Sequence, residues 1–161
     1  MGVVHRRSVR PFSGAGILFA HRDAGRDCHV LLFRRSISPD RGKWSVVGGR
    51  QDAGESFEQT ALREAVEEAL YPNRQPEAFA EQLGPYLSPT FDIATCRKSV
   101  VWIPLAFTYH TFLVEFVERP PLTAFQANPN ECDACDWFPA NRLPPDVHRG
   151  VRWSVWKLGL L

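Results

Sequence analysis

Nowhere does the 161-residue chain carry a run approaching the roughly 18 apolar residues of a membrane-spanning helix, so no membrane partner is expected. Cysteine is sparse. Cys28 and Cys96 stand alone, and only Cys132 and Cys135 form a C-x-x-C pair. That pattern excludes a disulfide scaffold. Without a second Cys/His pair at ligand spacing, it also gives no basis for tetrahedral zinc. Free thiols in a reducing cytoplasm are the expectation. Excess charge is missing too: the formal net charge is +1, which argues against a uniformly basic face and a stable nucleic-acid partner. There are no internal repeats and no low-complexity segments. Near the start, Arg6 occupies the Ser/Thr position that N-myristoylation requires. The apolar stretch Gly14–Ala20 is closed by His21-Arg22-Asp23 without a cleavage site, so it reads as a first β-strand rather than a signal peptide.

What is present is ordinary in amount and unusual in arrangement. Hydrophobic residues make up 44% and charged residues 23%, as in soluble globular domains. The length suits one domain over residues 1–161, with residues 1–12 as an N-terminal arm. Charge is segregated along the chain. Residues 1–50 hold ten Lys/Arg against three Asp/Glu, and residues 51–92 hold two against nine. An acidic segment that gathers metal beside a basic one that attracts phosphate fits a metal–polyphosphate site.

Strand propensity is concentrated in Ser13–Ala20 and His29–Arg35, with Asp23 and Gly25 able to turn between them. Trp44–Val47 reads as a short strand entering Gly48-Gly49. Ser56 can cap a helix whose apolar face is Leu62, Ala65, Val66 and Ala69 and which runs to about Leu70. The prolines after it predict an excursion loop over 72–90, with a short helical piece near Ala78–Leu83. Ser99–Phe107 and Tyr109–Phe116 read as one bent strand or two paired strands interrupted at Pro104. This aromatic stretch could supply a homodimer interface or equally be core. Ala134–Phe138 is a last strand, and Arg149–Leu160 a closing helix with Val151, Val155 and Leu158 on one side. A helix set among strands indicates α/β layering.

The chemistry is concentrated in residues 49–71. Glu64, Glu67 and Glu68 sit at i, i+3 and i+4, which places three carboxylates on one helical face. Their repulsion would be relieved by a hard divalent cation such as Mg²⁺, or Mn²⁺, which prefers carboxylate oxygen. Gly49, five residues, Glu55, seven residues, then Arg63-Glu64-Ala65-Val66-Glu67-Glu68 resembles the Nudix box in order and spacing. Two positions depart from that pattern. Leu70 stands where the box has a late Gly that permits a left-handed helix ending, and Val47 stands where many relatives carry Pro before the glycines. Leu70 predicts that the helix runs on until Pro72 stops it.

The resemblance implies a Nudix fold, an α/β/α sandwich with a mixed central sheet. It also implies hydrolysis of a nucleoside diphosphate linked to another group X. On that reading Glu64, Glu67 and Glu68 hold the metal, joined by the Gly49 carbonyl. Arg63 pairs with Glu55 and orients Glu64. The general base is Glu64 or Glu131, which lies six residues before Trp137-Phe138. Among the nearby cations, Arg34, Arg35, Arg41 and Lys43 are candidates to grip phosphate. Phe12, Trp102, Tyr109 and Trp137 are candidates to stack on a base. The size and the Glu131–Trp137 spacing favour a MutT-type nucleoside triphosphate pyrophosphohydrolase. An ADP-ribose or nucleotide-sugar pyrophosphatase is the alternative; Pro85 and Pro89 straddle the position of a proline that some of those enzymes carry. A Nudix domain that binds a nucleotide or metabolite without cleaving it is the alternative of another class.

Overall fold

Strand β1 (Phe12–Arg22) is shared among three neighbours, and that sharing builds the sheet. Along one edge it runs parallel to β6 (Phe107–Phe116), in register from Phe12↔Phe107 to His21↔Phe116. Its other edge is divided. Phe19–Arg22 pair antiparallel with β2 (Cys28–Arg35), while Gly14–Ile17 pair antiparallel with β4 (Val47–Arg50). β2 in turn pairs with β3 (Trp44–Ser45) and with β7 (Cys132–Pro139), and β6 pairs with β5 (Lys98–Ile103). These strands form one mixed seven-stranded sheet. The computed structural model describes residues 11–161. Most of the expected N-terminal arm therefore lies outside the described residues, and Phe12 already belongs to β1.

Alternation along the strands divides the core in two. Ala15, Ile17 and Phe19 of β1, with Leu31 and Phe33 of β2, face α1 (Phe57–Ala69) and α2 (Glu77–Leu83). Leu18, Ala20, Val30 and Leu32 face the other way, against Val151, Val155 and Leu158 at α3 (Arg149–Lys157). Each large apolar side chain fully buried in these layers contributes about 1.5–3 kcal/mol. The result is the expected α/β/α sandwich.

Helix α1 starts where its cap dictates. Ser56 Oγ accepts the Gln59 N–H at 3.1 Å, and Gln59 Oε1 accepts the Ser56 N–H at 2.8 Å, a reciprocal capping box. Ala61, Ala65, Val66 and Ala69 turn into the core, which leaves Glu64 and Glu67 at the rim. The helix does not run on to Pro72. It ends at Ala69, and Leu70 adopts φ −125°, ψ 31° rather than the left-handed region. The Leu70 side chain is buried, and its backbone forms a parallel bridge with Gln126. Core packing and that bridge do the work that a left-handed glycine does elsewhere.

The aromatic stretch resolves into two paired strands, β5 and β6, turned at Pro104–Ala106. Phe112, Val114 and Phe116 are core, whereas Val100, Trp102, Ile103 and Leu105 are exposed. Among the described residues no helix is long and apolar enough to cross a membrane.

Candidate active site

β4 lies directly beneath α1, and their contact fixes the site. Glu64 lies over Gly49 so closely that a Cβ there would stand 2.5 Å from Glu64 Oε1. Only glycine allows this approach, and it brings backbone and carboxylate together. One turn on, Glu68 is 4% exposed, and its Oε2 accepts the Gly48 N–H at 3.3 Å. Gly48 is itself hemmed in: a Cβ would stand 2.5 Å from the Gly16 Cα and collide with the Tyr109 hydroxyl. The double glycine thus lets β1, β4, β6 and α1 meet at one point.

Arg63 organises the carboxylates. Its Nε and Nη2 donate to the two Glu55 oxygens at 2.7 and 3.0 Å, a bidentate pair. Nη1 donates to Glu64 Oε1 at 2.8 Å and reaches Glu67 Oε2 at 3.5 Å. Nη2 also donates to the Arg50 carbonyl at 2.9 Å, tying helix to strand. The buried Thr60 hydroxyl completes the Glu55 shell at 2.8 Å.

These environments push the acids apart. The Arg63 hydrogen bonds hold the Glu55 carboxyl down at about 2. Burial raises Glu64, against the pull of Arg63 and with the push of Glu67 and Glu131. Burial raises Glu68 much further, reinforced by the charges of Glu131 and Glu64. Glu131 thus acts on Glu68, although 63 positions separate them in sequence. The Tyr109 hydroxyl is raised by burial and by Glu68 and Glu64.

The remaining candidates are distributed differently. Arg34 lies on the α3 side of β2 by alternation, and its Nε donates to Asp133 at 2.7 Å. Arg35 Nε donates to the Pro39 carbonyl at 3.0 Å, Arg41 Nε donates to the Ser36 carbonyl at 2.8 Å, and Lys43 pairs with Asp40 at 2.9 Å. Trp137 is buried beside Phe116, with the Arg119 guanidinium 5.1 Å from its ring centre. Phe12 and Tyr109 belong to a half-buried stack with Phe107, and Trp102 is exposed on β5. Cys132 and Cys135 are free, and burial raises both thiols.

Residues that sequence reasoning missed include Thr60 and Gly48, and also a cleft beside Glu67 and Glu131. That cleft, about 230 Å³, is further lined by Tyr71, Arg74, Asn128 and Asn130. The adjacency of Gly48 to Gly49 was a usable signal. No local pattern marks the asparagines.

Among the described residues no three Asp, Glu, His or Cys side chains stand gathered in a metal-ligand cluster, and Arg63 bonds Glu64 and reaches Glu67. The donor chemistry nonetheless fits a hard divalent ion: carboxylates on one helical face, a buried Glu68 with a single N–H donor, and a Glu64 carboxylate seated against the Gly49 backbone.

Comparison with known proteins bears on the same region. Residues 10–156 match the NUDIX domain family. The chain is 42% identical over 50 residues to putative nudix hydrolase 1 of Caenorhabditis elegans, covering 31% of this chain and 14% of that protein. It is 38% identical over 85 residues to a nucleoside triphosphate pyrophosphatase/Nudix hydrolase fusion protein of Bifidobacterium longum, covering 47% and 17%. The chain thus spans less than a fifth of either relative. The crystal structure of the Nudix hydrolase RenU from M. smegmatis superposes with a TM-score of 0.63 at 26% identity, over 92% of this chain and 83% of that one.

Proposed function

We infer from this chain's membership of the Nudix family that it is a divalent-metal-dependent hydrolase of a nucleoside diphosphate linked to a group X. Within that class we read the substrate as a (deoxy)nucleoside triphosphate, split into a nucleoside monophosphate and pyrophosphate. The observation that carries the reading is the seating of Glu64 over Gly49, with Arg63 bridging Glu55 and Glu64 and with Glu68 fixed on Gly48.

Glu64, Glu67, Glu68 and the Gly49 carbonyl would hold Mg²⁺ or Mn²⁺. When bound, such an ion neutralises diphosphate oxygens and acidifies a water. The chain's own residues do the rest. Arg63 orients Glu64 through its 2.8 Å bond and, by its clamp on Glu55 and Arg50, fixes the helix against β4. Glu131 takes the proton of the attacking water. Glu64 is engaged by Arg63, whereas Glu131 has no cationic partner among the described residues. Water oxygen bonds to phosphorus, the bridging P–O bond breaks, and its electron pair leaves with the departing phosphate oxygen. The free cysteines are consistent with work in a reducing cytoplasm.

The test is a panel of nucleoside triphosphates, ADP-ribose, nucleotide sugars and dinucleoside polyphosphates with Mg²⁺, read by released phosphate and pyrophosphate. Glu67→Gln should lower kcat/KM by about 100-fold or more with the fold intact. Glu131→Gln should lower kcat while metal binding persists. Tight binding of one compound without turnover of any would replace the hydrolase reading with a binding module.

A further inference from the structure

We propose that the cleft beside Glu67 and Glu131 is a subsite for the terminal phosphate of a nucleoside triphosphate, with Arg74 as its cationic anchor. The proposal rests on the hydrolase reading above and adds the residues that select the substrate. The cleft combines both signs of charge. Glu67 and Glu131 line it, and Arg74 lines the same cleft. A polyphosphate cleaved beside Glu67 and Glu131 therefore has a positive group within the same cleft for its far phosphate. A neutral sugar in that place would leave the guanidinium unmatched.

The walls are built rather than incidental. The Tyr71 N–H donates to the Gln126 carbonyl at 3.0 Å, and the Asn128 N–H donates to the Glu68 carbonyl at 2.8 Å. These bonds staple the turn after α1 to the loop that carries Glu131. Asn73 Nδ2 donates to the Leu70 carbonyl at 2.7 Å and holds the turn from which Arg74 projects. Asn128 Oδ1 accepts the Asn130 N–H at 3.0 Å, which fixes that amide with its NH₂ group still able to donate. Arg74 is exposed and, among the described residues, has no ion-pair or hydrogen-bond partner, whereas Arg34, Lys43 and Arg63 are each committed to carboxylates. A guanidinium and an amide donor lining one cleft match the oxygens of a phosphate.

Arg74→Gln and Arg74→Lys test the assignment. Arg74→Gln should raise KM for nucleoside triphosphates about tenfold, with kcat within about twofold, and leave KM for nucleotide sugars unchanged. Arg74→Lys should recover part of the loss. Calorimetry with inorganic triphosphate and Mg²⁺ should show a parallel loss of affinity in Arg74→Gln. Equal effects on both substrate classes, or none, overturn the subsite, as does a wild-type enzyme that cleaves only nucleotide sugars. If the wild type cleaves nothing in the panel, the hydrolase reading fails. The triphosphate titration then still decides the subsite: weaker binding by Arg74→Gln supports it, and unchanged or absent binding overturns it.

Discussion

Arg63 shares one guanidinium among competing acids, and Glu55 receives the largest share. Because that clamp depresses the Glu55 carboxyl to about 2 from 4.5, the folded state binds fewer protons there than the unfolded chain. The stabilisation is therefore present in full above about pH 4.5 and is lost as pH falls through about 2. Glu55→Gln should cost about 2 kcal/mol at neutral pH, with the difference from wild type shrinking in acid, as urea unfolding at a series of pH values would show. Gly49 makes an opposite case, in which an added methyl group does the damage. Gly49→Ala places a carbon 2.5 Å from Glu64 Oε1, so the carboxylate must leave the backbone it covers. A fall in kcat/KM of about tenfold or more is expected, with circular dichroism and cooperative unfolding preserved. At this scale the sequence was highly legible. The spacing of Glu55, Arg63 and the helix carboxylates is local, and a helix converts local spacing directly into a shared face.

Helix α1 carries the chemistry, but its final residue determines how it joins the rest. Leu70 breaks the box pattern and is 1% exposed, inside the same core as Phe33 and Phe125. Leu70→Gly restores the motif at the expense of the fold: it should destabilise by about 3–5 kcal/mol, measured by urea unfolding, through the loss of a fully buried side chain and added backbone freedom. The sequence marked Leu70 as a departure and could not say what replaced the glycine. The answer lies at Gln126, in a loop without periodicity. The same limit applies to β5 and β6. Alternating aromatics announced strands, yet burial of Phe116 and exposure of Trp102 depend on which neighbour covers each face.

Across the whole molecule, the sandwich was legible through the resemblance of residues 49–68 to the Nudix box, and the continuous apolar runs of β1 and β2 agree with a sheet covered on both faces. The cleft was not, because Arg74 and Asn128 come from segments that only the assembled fold brings together. Divalent ions should act on this assembled state. Mg²⁺ at about 100 times its dissociation constant should add about 2.7 kcal/mol of stability to the wild type, seen as a concentration-dependent rise in Tm that is much reduced in Glu67→Gln. The Leu70–Gln126 bridge has a mechanical consequence. With Gln126 N–H on the Ala69 carbonyl and Asn128 N–H on the Glu68 carbonyl, the last turn of α1 and the start of the Glu131 loop form one rigid lever. The helix cannot tilt to admit or release a nucleotide without carrying that loop with it. Exchange would then depend on the exposed turn at residues 72–76, so residence time would be set by a segment that holds no metal ligand.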